Sequence, residues 1–203
     1  IFGSGDGLSL EQDIQAINSL NQIAQVEALD CQEYRDISVL LKAICQKITE
    51  SEGWDILFFA GHSNESALTG GEICVGRNRF LSVKDIAHSL KVARQNGLQF
   101  ALFNSCQGLN LAESLIDLGI SQVAIMREPI HDRVAHVFIK QFLDSLASYK
   151  DVHEALLDAC EYLKQQETRL NYPSAHWVPS LFRHPNAELF RIQPFGWRHR
   201  LQR

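Results

Sequence analysis

The sequence has no C-x-x-C pair, no apolar run of membrane-spanning length and no excess of positive charge. Each absence removes a class of function. Without C-x-x-C, neither a zinc knuckle nor a thioredoxin-type dithiol has support. The five cysteines, Cys31, Cys45, Cys74, Cys106 and Cys160, are odd in number and irregularly spaced. Free thiols in a reducing compartment, and hence a cytoplasmic location, are the expectation. No stretch approaches the roughly eighteen apolar residues of a span, and no signal peptide is visible. Nineteen basic residues against 24 acidic give a net charge of −5, which provides no cationic field for nucleic acid. No cluster of histidines or acids has metal-ligand spacing, so neither metal nor cofactor is expected. The glycine-rich run GSGDG at 3–7 lacks the G-x-G-x-x-G spacing, which argues against a flavodoxin-like phosphate-binding domain.

What is present suits one globular domain. The chain has 203 residues, 45% of them apolar, enough for a substantial core. Internal repeats and low-complexity tracts are absent. Proline is scarce, and four of the five prolines lie beyond residue 170. The segment RIQPFGWRHRLQR at 191–203 carries four arginines and no acid. We read 1–185 as the folded domain and 186–203 as a basic tail or linker. An ordinary tail and a juxtamembrane stretch ahead of a downstream span both fit clustered arginines, so membrane contact is expected only through such a segment.

Three short apolar runs, DILFFAG, LQFALFN and SQVAIM, lack the alternation of a half-solvated strand. Continuous runs of this length suit strands buried on both faces of a parallel sheet. Helical periodicity falls between them: Ile37, Leu40, Leu41, Ile44 and Ile48; Val83, Ile86, Leu90 and Ala93; Leu111, Leu115 and Leu118; Val134, Val137, Phe138 and Phe142; Val152 through Leu163. Ser82 with Asp85 reads as a capping box and Gly97 as the stop of that helix. SLEQ at 9–12 opens an earlier helix whose apolar residues are Leu10, Ile14 and Ile17. A short strand is expected near QVEAL, and GGEICVGRNRFL reads as a small hairpin turning at 76–78. HWVPSLF reads as an edge strand, since Pro179 forbids a central position. The opening IFGSGDG resembles the end of a first strand running into a loop, with most of that strand expected upstream. Strands alternating with helices predict a three-layer α/β/α sandwich with a mostly parallel sheet.

In open parallel sheets, side chains just past the carboxyl ends of strands share a crevice. DILFFA runs into Gly61–His62–Ser63, and LQFALF runs into Asn104–Ser105–Cys106. If these strands are adjacent, His62 and Cys106 face each other. An imidazole there can take the proton of a thiol. The backbone N–H groups of Ser63 and Cys106 are the candidate oxyanion donors. Gly61 and Gly108 leave room for substrate or backbone to approach. His88, His136 and His153 read as surface or packing residues, and Arg77 and Arg79 as solvated charge.

The segments ILFFAGHSN and FNSCQGLNLAESLIDLGISQVAIMREPIHDRVAHVF closely resemble the CHAT domains, caspase-like clan CD domains akin to separase and common in bacterial multidomain proteins. The similarity runs from about Ile1 to Phe182. His62 and Cys106 are 44 residues apart, near the roughly 50 of caspases, although the caspase cysteine signature is absent. The resemblance implies a cysteine endopeptidase with His62 as base and Cys106 as nucleophile, acting on a protein or peptide substrate under the control of flanking regulatory domains. It also implies an acidic S1 pocket and a basic P1 residue. Asp132, in MREPIHD, is the S1 candidate, unless it simply caps the helix that starts there. Glu128 is the second acidic option. Asn104 stands where metacaspases have an Asp two residues before the cysteine. A catalytically silent scaffold for protein–protein contact is the competing function.

Overall fold

The computed structural model describes residues 1–3, 10–64, 71–76, 79–105 and 108–194. In chain order the elements are α1 (Leu10–Asn18), α2 (Ile37–Ile48), β1 (Ile56–Ala60), β2 (Ser63–Asn64), β3 (Glu72–Gly76), β4 (Arg79–Ser82) and α3 (Val83–Gln95). There follow β5 (Phe100–Asn104), α4 (Leu109–Asp117), β6 (Gln122–Met126), α5 (Asp132–Ala147), α6 (Val152–Gln165), the single turn α7 (Glu167–Leu170) and β7 (Pro179–Arg183).

The three apolar runs form the centre of one sheet of order β1-β5-β6-β7. β1, β5 and β6 are parallel, and β7 runs antiparallel along the edge. Pro179 is the first residue of that edge strand, where a missing N–H is tolerated. Beyond β1, Phe2 bridges Ala60 on one side and Asp30 on the other, both in parallel. The opening residues therefore lie beside β1 through isolated bridges and form no strand of their own among the described residues. The short strand expected near QVEAL is reduced to a bridge at Asp30, with bonds through Leu29 and Cys31. β2, β3 and β4 form a separate antiparallel sheet. The tip of the expected hairpin, with Arg77, lies outside the described residues. Arg79 is not a solvated charge: its guanidinium donates to the carbonyls of Tyr34 (2.6 Å) and Arg35 (3.2 Å), tying the hairpin to the entry of α2.

Alternation along β5 divides the core. Phe100 and Leu102 face α5 and α6, with Phe58, Phe138, Phe142 and Phe190. Ala101 and Phe103 face α2, α3 and α4, with Leu40, Ile44, Leu90 and Leu115. This is the predicted three-layer sandwich, with strands buried on both faces because both are covered by helices. Local signals set the helix ends. The Asp85 carboxylate accepts from the Ser82 N–H at 2.8 Å, completing the capping box. Gly97 follows with φ +118°, a conformation open to glycine at little cost. Ser9 of the earlier predicted box lies outside the described residues.

Phe190 and Ile192, within the stretch read as tail, are buried in the core. Both ends of the Gln122 amide hold that stretch: Nε2 donates to the Glu188 carbonyl and Oε1 accepts from the Phe190 N–H. Among the described residues, no helix is long and apolar enough to cross a membrane.

Candidate active site

The site is built at the carboxyl ends of β1 and β5. The two strands pair directly, in parallel, from Ile56–Phe100 to Ala60–Asn104. One residue further on, the Gly61 N–H donates to the Asn104 carbonyl at 3.3 Å. The segments leading to His62 and to Cys106 therefore leave the sheet side by side and at the same level. His62 is half-buried, and its carbonyl accepts from the Cys74 N–H at 2.8 Å. Cys106, and with it the second oxyanion donor, lies outside the described residues. Ser105 is buried, and its Oγ has no hydrogen-bond partner among the described residues. Gly108 donates its N–H to the Met126 carbonyl at 3.1 Å.

Both glycines allow a close approach of the protein's own atoms. Gly61 has φ +151°, and a Cβ there would sit 3.3 Å from the Cα of Gly3 and 3.1 Å from the ring of Phe59. At Gly108 a Cβ would fall 2.8 Å from Cβ of Ile125. The close approach each permits is to the neighbouring strand. Ser63 pairs with Ile73 in β2 and β3. The rung from Cys74 N–H to His62 O makes this a non-hydrogen-bonded pair, so the Ser63 N–H turns away from β3.

Asp132 is the first residue of α5, beyond the carboxyl end of β6. It is not the cap. His131 is the N-cap residue, and its side chain accepts from the Arg133 N–H at 3.2 Å. An acid in the first turn still suits the helix dipole. The Asp132 side chain is 30% exposed and lies 3.4 Å from His136 Nε2. Glu128 is exposed in the bend after β6. Asn104 is buried, and its Nδ2 donates to Asp13 Oδ1 at 2.9 Å.

That last bond brings in two residues to which the sequence alone gave no part in the site. Asp13 is 2% exposed, while Ile14, expected inward, is 37% exposed. His136, expected at the surface or in packing, is buried, with Nε2 3.5 Å from Asp13 Oδ2. Two signals were available: an acid one turn after Leu10 on the inward stripe, and an Asp132/His136 pair at i, i+4. Among the described residues, no group of three or more His, Cys, Asp and Glu is placed to hold a metal ion.

No curated protein is similar enough to this sequence to count as a match. The family model of the CHAT domain matches residues 8–197, nearly the whole chain. A mostly parallel sandwich suits that caspase-like, protease-related lineage, and the chain belongs to the CHAT domain family.

Proposed function

We propose that the domain is a cysteine endopeptidase. Cys106 is its nucleophile and His62 its base, and it cuts protein chains after a basic residue. The observation that supports this most is the pairing of β1 with β5, in register through Ala60 and Asn104. A free thiol with a pKa of about 8.5 is only a few per cent thiolate at neutral pH, so an imidazole beside it has a use. His62 takes the proton from the Cys106 thiol, and the sulfur attacks the scissile carbonyl carbon. The carbonyl oxygen becomes an oxyanion, held by the N–H groups of Ser63 and Cys106. Collapse expels the amine, which receives the proton from His62 and leaves a thioester. Water, deprotonated by His62, then attacks the thioester, and the acid product and free thiol are released. Asp132 holds the P1 guanidinium or ammonium, with two parallel hydrogen bonds available to an arginine. Glu128 is the further acid within the same turn. We read the domain as a module controlled by flanking regions of a larger protein.

A mixed peptide library tests the activity and the P1 preference together. Wild type is expected to cut after Arg or Lys. His62→Ala and Cys106→Ala should lose turnover by roughly 10³-fold or more while keeping the same melting curve. Equal turnover by Cys106→Ala would remove the proposal, and acidic P1 usage would refute the Asp132 assignment. A thiol-directed probe that leaves Cys106 unlabelled in the wild type would favour the silent scaffold.

A further inference from the structure

Trp177 is the most exposed of the large apolar side chains among the described residues, at 68%. Single exposed side chains such as Val39 of α2 and Leu157 of α6 lie on helix surfaces and need no explanation. Trp177 differs, because tryptophan is on average well buried and because the turn that carries it is held from several sides. Its N–H donates to the Ser174 carbonyl at 3.1 Å, and the Arg127 guanidinium donates to its carbonyl. The Glu167 carboxylate accepts from the Ser174 N–H at 2.9 Å and lies 2.6 Å from His176 Nδ1. The His176 ring lies against the indole, with centroids 4.8 Å apart. Ser174 holds a φ of +63°, a left-handed conformation uncommon outside glycine, asparagine and aspartate. The indole is thus held out in one place by a braced turn.

That place is the carboxyl end of the parallel strands. Phe103 pairs with Ile125, so Asn104 is level with Met126, and Met126 pairs with Pro179. Backbone bonds carry the line across. Gly108, two residues past Cys106, donates to the Met126 carbonyl at 3.1 Å, and the Arg127 N–H donates to the Val178 carbonyl at 3.1 Å. Neighbouring strands are about 4.8 Å apart, so the start of β7 stands roughly 10 Å from the tip of β5. An extended peptide covers that distance in about three residues, at about 3.3 Å each. An indole on this rim offers a broad, rigid face that gains most from apolar contact. The Arg127 guanidinium at its carbonyl sets a positive charge beside it. Like charges repel, so an apolar side chain suits this face better than a lysine or arginine.

We propose that Trp177 is a specificity-determining residue: its indole face takes one apolar side chain, aromatic or branched aliphatic, of an extended peptide substrate, about three residues from the bond that is cut. That the occupant is a substrate rests on the peptidase reading. That the indole receives an apolar side chain rests on its exposure, its bracing and its place on the rim. His176 backs the ring, while Glu167 and Arg127 hold the turn. The platform is therefore formed before a peptide arrives, and little side-chain freedom is lost on binding.

Internally quenched peptides test this on the 203-residue chain. Each carries at P1 the residue that the mixed library selects, and Phe, Leu or Ser at one position two to four residues from the scissile bond, on either side. At one such position wild type is expected to prefer Phe and Leu over Ser by about tenfold in kcat/KM. Trp177→Ala should bring that ratio to within about twofold of one, and Trp177→Phe should keep it within about threefold of wild type. The loss should lie in KM rather than kcat, since the contact is made equally in ground and transition states. Binding is read separately in the Cys106→Ala variant, from the NMR signal of the Trp177 indole N–H, assigned by its disappearance on Trp177→Phe. Phe peptides should shift this signal and their Ser counterparts should not. Thermal melts check folding; if Trp177→Ala does not fold, the NMR titrations carry the test. A preference that survives Trp177→Ala overturns the proposal, as does a wild type that cleaves without apolar preference at any of these positions. An indole signal that Phe and Ser peptides move alike, or not at all, also overturns it. Wild type that cleaves nothing while Phe peptides alone shift the indole would sink the peptidase reading and leave the apolar platform standing.

Discussion

The two faces of the central sheet are covered alike and differ in what else they bury. Among the described residues, the helices α2, α3 and α4 bury one polar side chain, that of Ser89, and two further serines, Ser63 and Ser105, are buried at the strand tips. On the face of α1, α5 and α6 the chain buries Asp13, His136 and Asp151. Desolvating an ionisable group costs several kcal/mol unless it is paired and hydrogen-bonded. Concentrating that cost on one face teaches where to look for chemistry, but only after capping is set aside. Asp151 is explained by its capping box: it accepts from the N–H groups of His153 and Glu154, and Glu154 returns the bond. Asp13 and His136 have no such local duty, and they sit where the strands end.

The comparison can be broken or sharpened by substitution. The largest effects are expected from truncating each face's bulk. Phe100→Ala, on the charged face, should cost about 3–5 kcal/mol, and Leu90→Ala, on the serine face, about 2–5 kcal/mol. Urea melts with unchanged slopes would place the two faces in one cooperative unit. A transition that splits in either variant would mean that the faces unfold separately. Next, Gly108→Ala drives a methyl into Ile125 and should cost about 1–3 kcal/mol. It should lower peptidase turnover by more than its stability loss explains, because it displaces the chain two residues beyond Cys106. Gly97→Ala is the control: it strains a φ of +118° yet meets nothing within 4 Å, so turnover should hold. Asp151→Ala should cost about 1 kcal/mol as a lost cap and leave cleavage as in wild type. If cleavage falls, the separation drawn here between capping acids and site acids is wrong.

The smallest effects concern one thiol on each face. Burial pushes Cys31 from 9.0 up to about 12 and Cys160 from 9.0 up to about 11. At pH 8 a thiol of pKa 12 is about one part in ten thousand thiolate, so neither should react with iodoacetamide in the native protein. Labelling read by mass spectrometry checks this. Both groups hold their proton more tightly folded than unfolded. The stability they lend is therefore complete below about pH 9 and lost as pH rises toward 11 or 12. Cys31→Ala should flatten that alkaline limb.

Much of the fold was legible because its signals are local. Continuous apolar runs announced strands buried on both faces, Pro179 announced an edge, and Ser82 with Asp85 announced a helix start. His62 and Asn104 were placed at neighbouring strand tips by the same reasoning. What was not legible depends on distant partners. Asp13 faces inward because Asn104, 91 residues away, meets its carboxylate. A reading that orients α1 by its apolar residues turns Ile14 inward in its place. Phe190 returns to the core because Gln122, 68 residues earlier, holds its backbone, whereas proline and arginine content alone reads as an exit.

The edge strand β7 has a consequence for life at high concentration. It is five residues long, begins with Pro179 and ends with Arg183. A strand from another molecule seeking to zip onto that side would find a missing donor at one end and a charge at the other. Both features work against copies growing a shared sheet from this side, where β7 is the last strand among the described residues.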